Sequence, residues 1–296
     1  MKRRRFLAIT AAVGALAAHP ARAFALDPVE WRGVALGAAA RLTIHHEDRA
    51  EALRLLDSCL AEVERLERIF SLYRPDSSLS QLNRTGRLEA PPLEMLVLLG
   101  QVDRVWRLSE GIFDPTVQPL WEAYARHFSV PGASPSGPAA EVLEQLRPAV
   151  DWTRVSVSED VIFFSRANMG MTLNGIAQGY ITDRVIDLLH RGGIRHVLAD
   201  MGEIRALGPQ WRVTVPGRGT LPVQQQALAT SAADGTRFSP ACHHLFDPRS
   251  CRSSVSQQPV TVIAPTAAIA DAVSTACAVA PRLSNNVFDA LDCRVV

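Results

Sequence analysis

The sequence predicts an α+β fold, with mixed strands and helices in two interlocked lobes or layers. Three observations lead there. Helical and strand-like hydrophobic spacings follow one another irregularly, without the repeated βαβ unit of a parallel sheet. There is no internal repeat, no G-x-G-x-x-G and no P-loop lysine pattern, so the chain does not read as a Rossmann or P-loop protein. Finally, 47% of the 296 residues are hydrophobic, enough for one large core or two closely joined lobes.

The first 23 residues stand apart. Lys2, Arg3, Arg4 and Arg5 precede an apolar run from Phe6 to Ala18, and Ala21-Arg22-Ala23 has the small-residue spacing of a signal-peptidase site. The run is shorter than the roughly 20 residues of a membrane-spanning helix. Arg3-Arg4-Arg5-Phe6-Leu7 fits the twin-arginine pattern R-R-x-F-L. The expectation is a twin-arginine signal over residues 1–23 and a mature chain beginning at Phe24; an ordinary signal or an uncleaved anchor is the alternative. Setting residues 1–23 aside removes Lys2, Arg3, Arg4, Arg5 and Arg22 from the 31 basic residues and none of the 30 acidic ones, leaving a net charge of −4. No basic excess remains to hold nucleic acid.

In chain order, residues 32–44 read as an opening strand. Leu53, Leu56, Leu60, Val63, Leu66 and Phe70 recur at helical spacing over residues 50–70. Residues 73–77 break that helix and residues 78–83 read as a short turn. A second helix covers about 92–109, with Leu96, Leu99, Val102, Val105 and Trp106 as its stripe and Gly111 as its stop. Residues 131–138 are a surface loop rich in proline and glycine. Residues 155–158 and 161–164 read as a hairpin, and residues 171–173 as a strand that leads through Asn174-Gly175 into a helix ending at Gly192-Gly193. Further strands are expected at 195–199, 211–215 and 259–264, with a last helix at about 266–279.

Four segments could carry chemistry. In residues 172–183 a glycine-containing turn opens a helix. Such N-termini leave free N–H groups that suit an anion, although a simple tight join explains the glycines equally well. In residues 264–276, Asp271 and Thr275 stand four apart on an alanine-rich helix and so share a face. A carboxylate and a hydroxyl among small neighbours suit Mg²⁺; otherwise Asp271 is a plain surface residue. Cys242-His243-His244-Leu245-Phe246-Asp247-Pro248 invites a zinc or copper reading. Adjacent strand positions face opposite ways, however, so a single histidine used for acid–base chemistry or phosphate contact fits better. Gly111-Ile112-Phe113-Asp114-Pro115 is a loop that could stack a flat ring. The five cysteines show no C-x-x-C and are expected to be mostly buried thiols, with a Cys242–Cys251 pair as the alternative.

Taken in order with Tyr73-Arg-Pro-Asp-Ser-Ser-Leu-Ser-Gln-Leu-Asn83, these segments resemble the ApbE family of FAD:protein FMN transferases across essentially the whole chain after residue 23. The matching patterns are Y-x-x-x-S-x-[IL]-S-x-[LF]-N, G-x-F-D-P-T-V at 111–117, G-x-I-A-x-G-Y-x-x-D over Asn174 to Asp183 (with Asn174 at the first glycine), H-x-x-D-P at 244–248 and A-x-x-A-D-A-x-S-T-A at 267–276. Within the family, residues 172–183, the His243-His244 segment and the twin-arginine start look most like the NosX branch, which is associated with nitrous oxide respiration (denitrification) and a proposed membrane flavoprotein acceptor, NosR. The sequence departs from the family pattern at Gln178, where Lys or Glu is common, at Leu36-Gly37-Ala38, at Met201-Gly202-Glu203 and at Ser250-Cys251.

The resemblance implies an ApbE-like fold in a single domain over 24–296, located in the periplasm. It also implies a reaction: a Thr or Ser hydroxyl of a target protein attacks the FMN-side phosphorus of FAD and AMP leaves. By resemblance, Mg²⁺ is held by Asp271, Thr275 and the Gly175 carbonyl. Tyr73, Ile112, Phe113, Asp114, Gln178, Asp183 and Leu245 bind the dinucleotide, and His244 or Asp247 activates the hydroxyl. Three rivals remain at this stage: an FAD pyrophosphatase, a flavin-carrying assembly factor without turnover, and a copper chaperone using Cys242, His243 and His244.

Overall fold

A computed structural model describes residues 27–280 and 282–296; the expected signal segment lies outside them. The elements run β1 (Val29–Ala35), β2 (Ala38–His45), α1 (Arg49–Phe70), α2 (Ser78–Thr85), β3 (Arg87–Glu89), α3 (Leu93–Leu108), α4 (Gln118–Phe128), α5 (Ala140–Leu146), β4 (Val155–Val157) and β5 (Val161–Phe164). They continue with α6 (Ala177–Arg191), β6 (His196–Asp200), β7 (Ile204–Leu207), β8 (Trp211–Val215), β9 (Gly219–Val223), β10 (Ala227–Ser231), β11 (Arg237–Ser239) and β12 (Cys242–His243). The chain closes with β13 (Phe246–Asp247), β14 (Arg252–Ser253), β15 (Val260–Ala264), α7 (Ala267–Val279), α8 (Asn285–Leu291) and β16 (Arg294–Val295).

The mixed α+β architecture is as expected. Its centre is an antiparallel seven-stranded sheet, β1-β2-β6-β7-β10-β15-β16. Helix α7 packs on β10 and β15, α6 packs on α7, and α1 packs on α6. The main core runs continuously through these layers, from Leu42 and Ile44 on the sheet to Leu66, Val185 and Val273 on the helices. A three-stranded sheet, β3-β5-β4, carries the hairpin expected at 155–164. No helix of the described residues is long and apolar enough to cross a membrane.

Several local expectations are corrected. Residues 32–44 form not one strand but the hairpin β1–β2, turning at Leu36 and Gly37, both at positive φ (45° and 82°). Two left-handed residues in succession favour a tight hairpin turn. Residues 78–83 belong to helix α2, because the Ser77 hydroxyl accepts the Ser80 N–H (3.0 Å) and supplies an N-cap. Residues 171–173 are not a strand, since the Asn83 amide takes both main-chain groups of Met171 at 2.8 Å and the Thr172 N–H donates to the Pro115 carbonyl. On α1 the buried face is turned from the predicted stripe: Leu55 and Cys59 are inside while Leu53 is exposed. On α3, Met95 and Leu98 join the core and Leu96 and Trp106 are only partly covered. The helix at 267–279 is followed by a further one, α8.

Candidate active site

The site forms where the start of α6 meets the flank of α7. Asp183, nearly two turns into α6, accepts the Ala267 N–H (2.8 Å) and the Ala268 N–H (3.0 Å), and Arg205 Nη1 lies 2.8 Å from its Oδ1. Its carboxylate caps the free N–H groups at the N-terminus of α7. Both of its oxygens take hydrogen bonds from the protein, so Asp183 aligns the two helices. Gly179 lets those helices touch, because a Cβ there would stand 2.2 Å from the Ala267 carbonyl oxygen.

That contact delivers Asp271. The Gly179 N–H donates to Asp271 Oδ2 at 3.2 Å, and the residue is only 3% exposed. This overturns the surface reading of the lone Asp on an alanine-rich helix: Ala267, Ala268, Ala270 and Ala272 are buried with it, so the helix is enclosed on most sides. Burial raises the Asp271 carboxyl above its usual range; the Gly179 N–H opposes the shift and the Asp183 charge adds to it. One turn on, Thr275 is half-buried. Its Oγ1 would be 3.0 Å from a Cβ on Gly175, and Phe113 Cε2 would be 3.4 Å away. Ser231 at the end of β10 lies 2.8 Å from the Ser274 hydroxyl and 3.2 Å from Thr275 Oγ1. Asp271, Thr275, Gly175 and Phe113 are thus gathered from three distant stretches of chain. A carboxylate, a hydroxyl and a main-chain carbonyl are hard oxygen donors of the kind Mg²⁺ takes, and a buried carboxylate without a basic partner fits such an ion.

Ile112 and Phe113 are buried in the core behind the site. Asp114 is drawn inward as a structural pin, accepting the Thr116 N–H (2.8 Å), the Thr116 hydroxyl (2.5 Å) and the Trp152 N–H (3.1 Å). Burial raises its carboxyl, against those hydrogen bonds. Tyr73 is 65% exposed and lies over the β1–β2 turn, where a Cβ on Gly37 would be 3.5 Å from its ring. A glutamate fixes that turn, as the Leu36 N–H donates to Glu67 Oε1 at 2.7 Å. Gln178 packs its amide on Gly202, and Leu245 is buried.

The two histidines divide their tasks. His243 is fully buried, with Nε2 2.9 Å from the Ser254 carbonyl and Nδ1 accepting the Leu245 N–H at 3.3 Å. Both ring nitrogens are used, which leaves no lone pair for copper. His244 is half-buried, with Nδ1 3.1 Å from Thr236 N and 3.2 Å from Thr236 O, and Gly235 presses on its ring. Burial lowers its pKa to about 4; the Thr236 hydrogen bond opposes that shift and His243 adds to it. The imidazole is neutral at physiological pH; Nδ1 either accepts the Thr236 N–H or donates to the Thr236 carbonyl, and the second tautomer leaves Nε2 able to take a proton. Three residues separate Gly235 from Ser231, so at most about 14 Å of main chain lies between the residue beside the His244 ring and the one that touches Thr275. Asp247 is held by Arg249 through Nε (3.0 Å), Nη2 (2.9 Å) and the backbone N–H (2.9 Å). Burial pushes its carboxyl up, but these bonds outweigh it and the net shift is downward. A carboxylate so engaged is a poor base.

Sequence reasoning did not place Ser231 or Glu203 in this site. Ser231 left no signal beyond a polar residue at a strand end. Glu203 was visible only as a departure from a family pattern. It is 7% exposed, with Oε2 lacking any hydrogen-bond partner.

Known proteins resemble this chain in sequence and fold. The model of the ApbE family matches residues 36–288. A Chlamydia pneumoniae protein named FAD:protein FMN transferase is 28% identical over 250 residues, 77% of this chain and 76% of that protein. Its Escherichia coli K12 namesake is 23% identical over 285 residues, 87% and 80% of the two chains. Among solved structures, the flavin transferase ApbE of Vibrio cholerae superimposes with a TM-score of 0.77 at 24% identity, covering 90% of this chain and 92% of its own. An ApbE protein from Thermotoga maritima gives 0.79 at 24% identity, covering 90% and 93%; these two structures establish the fold. The chain belongs to the ApbE family.

Proposed function

We propose that the protein is an FAD:protein FMN transferase that moves the FMN moiety of FAD onto a Thr or Ser hydroxyl of an acceptor protein and releases AMP. The observation that carries this reading is the meeting of Asp271, Thr275 and Gly175 beside Phe113. It joins an oxygen donor set for Mg²⁺ to an aromatic wall, at the mouth of a helix whose first turn is glycine-rich.

Mg²⁺ at these donors supplies charge neutralisation for the FAD pyrophosphate. The protein's own residues do the rest. Gly175 has no side chain to hold the dinucleotide away from Thr275. The exposed ring of Tyr73 offers a face for a flat ring system, and the buried Phe113 closes the Gly175–Thr275 contact from inside. Asp114 and Ile112 fix the loop that carries Phe113, while Gln178 packs on Gly202. As the acceptor hydroxyl forms its bond to the FMN-side phosphorus, the bond from that phosphorus to the AMP oxygen breaks. The hydroxyl proton passes to His244 Nε2, which is neutral and available. Asp247 steadies the His244–Pro248 turn through Arg249. Most of the acceleration then comes from positioning and electrostatics.

Three finer parts of the reading come from the sequence: twin-arginine export to the periplasm, placement in the NosX branch, and a NosR-type membrane flavoprotein as acceptor in nitrous oxide respiration. The test is to incubate the protein with FAD, Mg²⁺ and the periplasmic domain of a NosR-type protein, and to weigh the acceptor. A gain of one FMN per acceptor, abolished by Asp271→Asn, is expected. Free FMN and AMP with an unlabelled acceptor would identify a pyrophosphatase. Bound FAD that stays intact would identify a carrier without turnover.

A further inference from the structure

Glu203 sits in the β6–β7 turn, next to Gly202 at φ 96°. That turn abuts the residues that build the proposed cation site. Gln178 packs against Gly202, and its neighbour Gly179 donates to Asp271. The Thr182 hydroxyl lies 3.4 Å from the Glu203 carbonyl. The Thr230 backbone offers the Glu203 carboxyl a hydrogen bond, and the next residue, Ser231, touches Thr275. Glu203 is therefore bracketed by the immediate neighbours of both Asp271 and Thr275.

Its carboxyl has no counter-charge. Oε2 is sealed from solvent and has no hydrogen-bond partner. The nearest acidic groups acting on it are Asp271 and Asp200, so its surroundings are of like sign. Arg205 is committed to Asp183 and Asp187, and Arg41 to Glu30. Lys2 is the only lysine in the sequence. A carboxylate stripped of water and left unpaired is costly, and two that face each other are costlier still. A divalent cation between them removes both costs, and a hard ion of this type commonly takes two carboxylates.

We propose that Glu203 is a further carboxylate of the cation site, acting with Asp271 on the divalent ion that neutralises the FAD pyrophosphate. The inference rests on the cation reading of Asp271 and Thr275 given above. In this geometry the ion is approached from both sides: from α7 by Asp271 and Thr275, and from the β6–β7 turn by Glu203. The ion would tie the turn to α7 as well as to α6, which the turn already touches.

The test is cation binding itself, read by Mn²⁺ paramagnetic resonance and Mg²⁺ calorimetry on the full chain, with and without FAD. Wild type, Asp271→Asn and Glu203→Gln are compared, together with thermal unfolding of each. The expected result is that Glu203→Gln weakens Mn²⁺ binding at least about tenfold. Without a cation it should unfold at or above the wild-type temperature, because a like-charge contact has been removed. Its gain in unfolding temperature on adding Mg²⁺ should be smaller than that of wild type. If Asp271→Asn loses the ion and Glu203→Gln keeps wild-type affinity, Glu203 is a buried neutral acid; the inference fails while the proposed function stands. If wild type binds no divalent ion with or without FAD, both fail together.

Discussion

His244 is the residue whose chemistry is most exposed to measurement. Its folded-state pKa near 4 lies below the unfolded value of about 6.5, so the unfolded chain takes up a proton first on acidification. The neutral-histidine contribution to stability is full above about pH 6.5 and is lost as the pH falls towards 4. The shift caps the effect near ~3 kcal/mol, and half-exposure of the ring brings it to about 2 kcal/mol. Urea unfolding at pH 4.5, 6 and 7.5 should show that loss in wild type and a flatter profile in His244→Asn. The same variant should lower the transfer rate by about 10²-fold or more if Nε2 takes the acceptor proton. A wild-type rate that instead falls along a titration centred near 6.5 would show a histidine in an ordinary environment, contrary to the lowered pKa of this half-buried residue.

At the scale of elements, the α6–α7 pair decides whether the site exists. Asp183 serves both as the N-terminal cap of α7 and as the partner of Arg205, with only a small part of its side chain exposed. Removing it leaves two helix N–H groups without partners and Arg205 with only its longer contact to Asp187. Asp183→Ala should cost about 2–4 kcal/mol of stability, from cap and buried-pair losses together, a fall in melting temperature of several degrees. Below that temperature, FAD binding per folded molecule should stay close to wild type. A selective loss of FAD affinity at unchanged stability would return Asp183 to the cofactor set. The reason the sequence did not show this capping role is physical. The G-Y-x-x-D pattern marks a residue that matters without saying whether it faces ligand or backbone, and only the position of α7, some 80 residues away, decides that. The same long-range effect turned residues 171–173 from a strand into a loop pinned by Asn83. Helices α1, α6 and α7, whose spacing is local, were legible to within a few residues. The pair Asp271 and Thr275 was legible as a shared helix face. Its burial was not, because a run of alanines reads equally well as a surface helix or as one packed on both sides.

The described residues join segments far apart in sequence into one main core with three smaller clusters beside it, and the thiols report on how it is held. All five cysteines are free; Cys59, Cys242, Cys251 and Cys277 are buried and Cys293 is half-buried. Cys242 and Cys251 share the small cluster around Tyr124 and Phe246, each with its sulfur near a proline carbonyl, at 3.6 Å and 3.7 Å. Burial pushes the Cys59 and Cys277 thiols up to about 12 and the Cys293 thiol to about 11, with nearby Glu62, Cys293 and Asp292 respectively adding to the effect. At neutral pH these groups hold almost no thiolate, and the thiolate is the form that oxidises or exchanges. A fold stabilised in this way depends on its core and not on cross-links, so it can be completed in a reducing compartment and then meet an oxidising one unchanged. The melting temperature should therefore be the same with and without reductant. A thiol reagent should modify Cys59 and Cys277 only once denaturant is added, with Cys293 reacting first in the native protein. A disulfide found by non-reducing peptide mapping of the native chain, together with a melting temperature that falls on reduction, would show instead that cross-links carry part of the stability.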